Sequence, residues 1–170
     1  MSLLIDGYNL LHASDVFPAD DAPPTLEQSR LALLDFLVEN LLPKQLPRTI
    51  VVFDAVGAPP GLPREMTHRG LAVRFARRGR TADELIEELI AAEPDPRNLL
   101  VISSDHRLQR AARQRGAKFS DSEAWCREIR NRGDAMKSSA ESDRKPTMKV
   151  DDPFPAGYAE GYGKPQIGRS

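Results

Sequence analysis

Three short aliphatic runs in this chain each lead into an acid. Leu3-Leu4-Ile5 runs into Asp6, Ile50-Val51-Val52-Phe53 into Asp54, and Leu99-Leu100-Val101-Ile102 through Ser103-Ser104 into Asp105. Apolar runs of this length, without polar alternation, fit strands covered on both faces, as in a parallel sheet between helices. Parallel strands bring their carboxyl ends to one edge, and in open α/β sheets ligands bind outside that edge. Carboxylates crowded there repel one another and lose hydration. A hard divalent cation such as Mg²⁺, which takes oxygen ligands, is the counter-charge that suits them. The pattern predicts a carboxylate metal site.

Helical segments alternate with these strands. Thr25 with Gln28, and Thr81 with Glu84, read as capping boxes. The first opens a helix whose Leu31, Leu34, Leu37, Val38 and Leu41 recur at helical spacing until Pro43, and the second opens one with Leu85, Ile86, Leu89 and Ile90. Residues 71–75 alternate as a strand. Gly116 closes the helix after Asp105, residues 117–119 form a short last strand, and Ser120-Asp121-Ser122-Glu123 opens a final helix. Residues 15–24 and 55–70, rich in Pro and Gly, read as loops. Strand alternating with helix predicts an α/β fold with a mainly parallel sheet, in one domain over residues 1–130. Residues 131–170 are rich in Ser, Lys, Asp, Gly and Pro and hold few apolar residues, which predicts a disordered, low-complexity tail.

A net charge of -1 rules out a global basic field, but the distribution is uneven. Residues 1–60 hold eight acids and three bases, whereas 64–80 hold six arginines and one acid, Glu65. A basic block beside an acidic rim could hold a polyanion against a metal, and the plainer reading is a solvated face. The single cysteine, Cys126, excludes an internal disulfide and a cysteine-based zinc cluster. No apolar run approaches the ~20 residues of a membrane span, and the first residues lack a basic n-region. A cytoplasmic protein is the expectation.

Each acid admits a structural reading beside the functional one. Asp6, before Gly7, is a metal ligand or a turn-capping residue, with Asn9 near enough to hold Asp6 or a phosphate. Asp83 adds to a capping box already completed by Glu84, so it serves either the helix dipole or a metal. Ser103 and Ser104 are N-caps or phosphate contacts, and Asp105 is a first-turn acid, a ligand, or both. Asp54 ends a strand and could simply hydrogen-bond a neighbouring loop. Asp121 reads as a helix-start acid. Competing chemistries lack their signatures: no phosphate-binding loop, dinucleotide fingerprint or nucleophile elbow occurs, and His12, His68 and His106 show no zinc-ligand spacing.

The motifs I-D-G-Y-N at 5–9, V-V-F-D-A at 51–55, T-A-D-E at 81–84 and S-S-D at 103–105 resemble the NYN domains of the PIN-like superfamily. With G-A-K-F-S at 116–120, the order is most similar to the YacP-like branch. The resemblance implies a Rossmann-like three-layer fold and a metal-dependent endoribonuclease. Mg²⁺ or Mn²⁺ would be held by Asp6, Asp83 and Asp105, with Asn9, Asp54, Ser103 and Ser104 in support. RNA is the implied partner, and the branch adds an association with ribosome-linked mRNA cleavage. Under this reading Tyr8 would stack a base, and Arg77, Arg78 and Arg80 would hold flanking phosphates. One departure stands out: many PIN-like nucleases carry a further acid where this chain has Gln109. A non-catalytic RNA- or ribosome-binding module with a degenerate metal site is the alternative. A phosphoryl-accepting regulatory domain using Asp54 is disfavoured, because the first strand lacks paired acids.

Overall fold

The computed structural model describes residues 1–16, 23–56, 61 and 63–144. Parts of the loops expected at 15–24 and 55–70, and the tail from residue 145 onward, lie outside the described residues. The strands are β1 (Ser2–Asp6), β2 (Thr49–Phe53), β3 (Glu65–His68), β4 (Leu71–Phe75), β5 (Leu99–Ile102) and β6 (Lys118–Ser120). The helices are α1 (Gly7–Ser14), α2 (Leu26–Asn40), α3 (Ala82–Ala92), α4 (His106–Arg115) and α5 (Ser122–Arg144). The strands form one sheet in the order β3-β4-β2-β1-β5-β6, parallel throughout except for β3 against β4.

Period-two alternation decides what each face of the sheet covers. Leu3, Ile5, Val51 and Phe53 pack with Leu10, Leu33, Leu37, Trp125 and Ile129, so α1, α2 and α5 cover one face. Leu4, Val52 and Val101 pack with Ile86, Ile90, Leu108 and Ala112 of α3 and α4 on the other. Because both faces are covered, the central strands read as unbroken apolar runs. The three-layer α/β architecture is as expected. No described helix is long and apolar enough to cross a membrane.

Local chemistry sets most boundaries. Both capping boxes form: the Thr25 hydroxyl accepts from Gln28 N at 3.2 Å while the Gln28 carboxamide accepts from Thr25 N at 2.8 Å, and Thr81 and Glu84 repeat the exchange. Gly116 ends α4 at φ 85°, the left-handed conformation that a Cβ disfavours.

Two expectations are revised. Residues 65–68, placed in a loop, form β3, joined to β4 by a two-residue turn with Arg69 at φ 48° and Gly70 at φ 97°. Both positive angles suit the right-handed twist of a hairpin, but Arg-Gly is a weaker signal than Asn-Gly, and a half-exposed edge strand carries no apolar run. Residues 131–144, placed in the tail, continue α5 to Arg144. Low hydropathy prevents a segment from building a core, but it does not stop a helix already anchored by Trp125 and Ile129. The first proline beyond it is Pro146, and Arg132 pairs with Glu128 one turn back at 2.5 Å.

Gly7 opens α1 where β1 passes the buried ring of Phe53, and a Cβ at this position would overlap that ring. The residue is set by close approach, since its backbone needs no left-handed angle. Gly7→Ala should therefore destabilise the fold by about 1–3 kcal/mol, seen as a lower urea midpoint with an unchanged slope. A variant as stable as the parent would show that the ring relocates without cost.

Candidate active site

The sheet order fixes where a crevice must open. From β1 the chain moves outward through β2 and β4, then returns to place β5 and β6 on the opposite side of β1. The helix after β1 covers one face and the helix after β5 the other, so the carboxyl ends of β1 and β5 diverge and leave the crevice of a doubly wound sheet. Asp6 and Ser103 stand at its two sides. The Ser103 hydroxyl donates to Asp6 Oδ2 at 3.2 Å across it.

A hydrogen-bond network fixes this rim. Asp6 also accepts a long bond from Asn9 N at 3.4 Å. Asn9 Oδ1 in turn accepts from Ser104 N at 2.9 Å and from the Ser122 hydroxyl at 2.6 Å, tying together the starts of α1, α4 and α5. Ser104 Oγ donates to Asp121 Oδ2 at 2.7 Å and accepts from Ser122 N at 3.1 Å. Ser103 is fully buried, and its carbonyl accepts from the Gln109 carboxamide at 2.9 Å. Among the described residues no buried side-chain polar atom lacks a partner, so the network is satisfied and rigid.

The acids arrive from separate elements. Asp105 caps α4, accepting from Arg107 N at 2.8 Å. Asp54 Oδ1 accepts from Ala82 N at 2.5 Å, which draws the start of α3, with Asp83 in its first turn, onto the end of β2. Arg107 grips Glu87 through two bonds of 2.7 Å, holding α4 against α3. Asp83 thereby comes close enough to Asp105 for the two carboxylates to interact. Burial raises its proton affinity, Asp105 raises it further, and Arg107 offsets part of the rise. Asp6, only 7% exposed, is pushed up to about 6 by burial, with Asp83 and Asp54 adding repulsion and Asn9 and Ser103 opposing it.

Asp6, Asp83, Asp105, Asp54, Asn9, Ser103 and Ser104 are thus brought to one rim. The donor set is hard oxygen, which fits Mg²⁺ or Mn²⁺. Among the described residues, however, no three acidic, histidine or cysteine side chains are gathered tightly enough to hold a metal ion. Asp54 has an oxygen committed to the α3 cap, which makes it a poor phosphoryl acceptor as well as a supporting residue.

Tyr8 and Arg80 have partners outside this network. The Tyr8 ring packs edge-on against Phe53, with centroids 5.1 Å apart, and its hydroxyl accepts from Arg30 Nη1 at 3.1 Å. It is built into the α2 face of the core. Arg80 is held by Glu88 at 2.5 Å and Glu84 at 3.7 Å, while Arg77 lines a neighbouring cavity that Arg78 does not reach. Asp121 and Ser122, read only as a helix start, anchor the Asn9 network. No local pattern could reveal this, because Asn9 and Ser122 are 113 positions apart. Gln109, read as a missing acid, clamps the end of β5.

Because the proton affinity of folded Asp6 is raised, its contribution to stability is full below the ordinary carboxylate range near pH 4 and is lost as pH rises through about 6. Asp6→Asn keeps the shape and removes the buried charge. In metal-free buffer at pH 7.5 it should be more stable than the parent by on the order of 2 kcal/mol, with the gain shrinking towards pH 4. Urea unfolding across this range measures the difference. A variant less stable at every pH would show that the hydrogen bonds to Asp6 outweigh its burial.

The chain matches the family model of the YacP-like NYN domain over residues 3–159. It is similar to crystal structures of Rae1 (YacP) from Bacillus subtilis. A mutant form superposes with a TM-score of 0.67 at 27% identity, covering 87% of this chain and 87% of that one. A second Rae1 (YacP) structure gives 0.63 at 27% identity, covering 84% and 80%. A comparison with curated proteins returned no match. The matched span includes both sides of the crevice and every acid on its rim, and the chain belongs to the YacP-like NYN domain family, a nuclease family of the PIN-like type.

Proposed function

We propose that this protein is a divalent-metal-dependent endoribonuclease that hydrolyses phosphodiester bonds of single-stranded RNA, with Asp6, Asp83 and Asp105 as its metal-binding and catalytic acids. The observation that carries the reading is the convergence of these acids, from β1, α3 and the start of α4, on the crevice of a nuclease-family fold. A bound Mg²⁺ or Mn²⁺ would supply a nucleophilic water of lowered pKa and polarise the phosphate.

The chain's own residues prepare the rest. Ser103 and Asn9 hold Asp6 in a fixed orientation, so that it enters the site already aimed. Asp83 is partly exposed and can turn towards an ion, whereas Asp105, also partly exposed, keeps one carboxylate oxygen on the cap of α4. The first turn of α4 opens beside them, where helix backbone N–H groups favour a phosphate oxygen. Ser104 is fixed through Asn9 and Asp121 rather than free to follow the substrate. RNA is the proposed partner and the cytoplasm the proposed location, with ribosome-associated mRNA the substrate class suggested by the YacP-like resemblance.

A second reading, RNA binding without cleavage, is favoured by Gln109 in place of an acid and by acids that are not closed into a cage. Two experiments separate them. Cleavage of a labelled single-stranded RNA should disappear in EDTA and return with Mn²⁺ or Mg²⁺, and undiminished cleavage in chelator would overturn the metal mechanism. Asp83→Asn should abolish cleavage while costing no more than about 1 kcal/mol of stability, since Thr81, Glu84 and Asp54 still cap α3. Full activity in that variant would make Asp83 a structural acid.

A further inference from the structure

Beside the acid rim, a cavity of about 240 Å³ opens where the β3–β4 hairpin meets the first turns of α3. Four guanidinium groups line it, Arg64, Arg74, Arg77 and Arg80, against two carboxylates, Glu65 and Glu88. Arg74 Nε pairs with Glu65 at 3.4 Å and Arg80 Nη2 with Glu88 at 2.5 Å. Arg64 and Arg77 have no ion-pair partner among the described residues and are exposed. The floor is apolar, from Phe75, Ala76 and Leu85. The cavity therefore keeps a positive excess over an apolar base.

We propose that this cavity is a nucleotide subsite that holds one backbone phosphate of the RNA strand, with Arg64 and Arg77 as its main contacts and Arg74 and Arg80 preset by their acids. The inference rests on the nuclease reading for the identity of the strand. Three features support it. Two guanidiniums with no ion-pair partner among the described residues offer the planar fork that binds phosphate oxygens in pairs. Ion pairs on Arg74 and Arg80 fix those side chains in advance, which lowers the ordering cost of binding. The volume falls below the roughly 300 Å³ at which small-molecule pockets begin, so the cavity suits one unit of a longer chain better than a free ligand.

Its position adds the link to chemistry. Arg80 immediately precedes the helix cap Thr81 and Asp83 lies in the first turn after it, so the cavity and the acid rim share the start of α3 while Leu85 and Asp83 face opposite sides of the helix. A strand held in the cavity would reach the acid rim by passing over the start of α3. Arg64 immediately precedes β3 and is separated in sequence from Arg74, Arg77 and Arg80 by β3 and the turn into β4, so the subsite exists only once β3 has paired with β4.

The test uses the full chain in EDTA, so that binding is read without cleavage. Fluorescence anisotropy of a labelled single-stranded RNA is measured against salt for the parent, Arg64→Ala/Arg77→Ala and Arg97→Ala. Arg97 is an exposed arginine at the opposite end of β5. The double variant should bind roughly tenfold or more weakly, and its log–log salt slope should fall by about 0.7 for each lost contact. Arg97→Ala should match the parent. Arg77→Lys should recover the salt slope but only part of the affinity, since an ammonium keeps the charge without the fork.

Parental affinity and slope in the double variant would overturn the subsite and leave the face to an acidic protein. An equal loss in Arg97→Ala would also overturn it, because only net charge would then matter. The nuclease reading fails separately: loss of RNA binding in the double variant of a parent that never cleaves RNA would uphold the subsite and refute the enzyme.

Discussion

A carboxylate placed almost out of water at the end of a central parallel strand is the constraint around which this molecule is arranged. Asp6 cannot move away, because β1 is hydrogen-bonded on both sides and Gly7 lets the chain turn directly against Phe53. Its charge is opposed by burial and by the neighbouring acids Asp83 and Asp54. Two groups from distant parts of the chain answer it, the Ser103 hydroxyl and the backbone of Asn9. They lower the penalty without removing it. Such a strained arrangement is common where a charged partner is meant to arrive.

The same constraint explains the polar network behind the rim. If Asn9 is to face Asp6 with its backbone, its side chain must find partners elsewhere, and it takes Ser104 and Ser122. Ser104 is thereby committed to Asp121, and the starts of three helices are locked together. On the far side, Asp54 gives up an oxygen to the cap of α3 and delivers Asp83 to the crevice. Positioning is thus carried mostly by neutral or singly charged hydrogen bonds, leaving Asp83 the freest member of the set.

Much of this was legible in the sequence because it is written in local patterns. Aliphatic runs gave the central strands, and two capping boxes gave the starts of α2 and α3. An acid after each run placed Asp6, Asp54 and Asp105 on the rim. What was not legible depends on pairing at a distance. β3 has no apolar run and exists because β4 offers it an edge, and α5 continues past residue 131 because its first turns are anchored. Tyr8 looked available for stacking until α2 brought Arg30 to its hydroxyl. Gln109 looked like a lost ligand, and its contact with the Ser103 carbonyl lies in the turn of the loop. The arginine cavity likewise needs Arg64, which the linear block placed in a loop.

Under the proposed metal mechanism the rim receives a divalent cation, and Asp6 must give up its proton to do so. Calorimetric titration of Mn²⁺ into the metal-free protein, in buffers of different ionisation enthalpy between pH 5 and 8, tests it most directly. The account predicts binding that tightens as pH rises through about 6, with proton release that is large at pH 5 and fades by pH 8. Binding that is absent, or that neither releases protons nor changes with pH across this range, would contradict it.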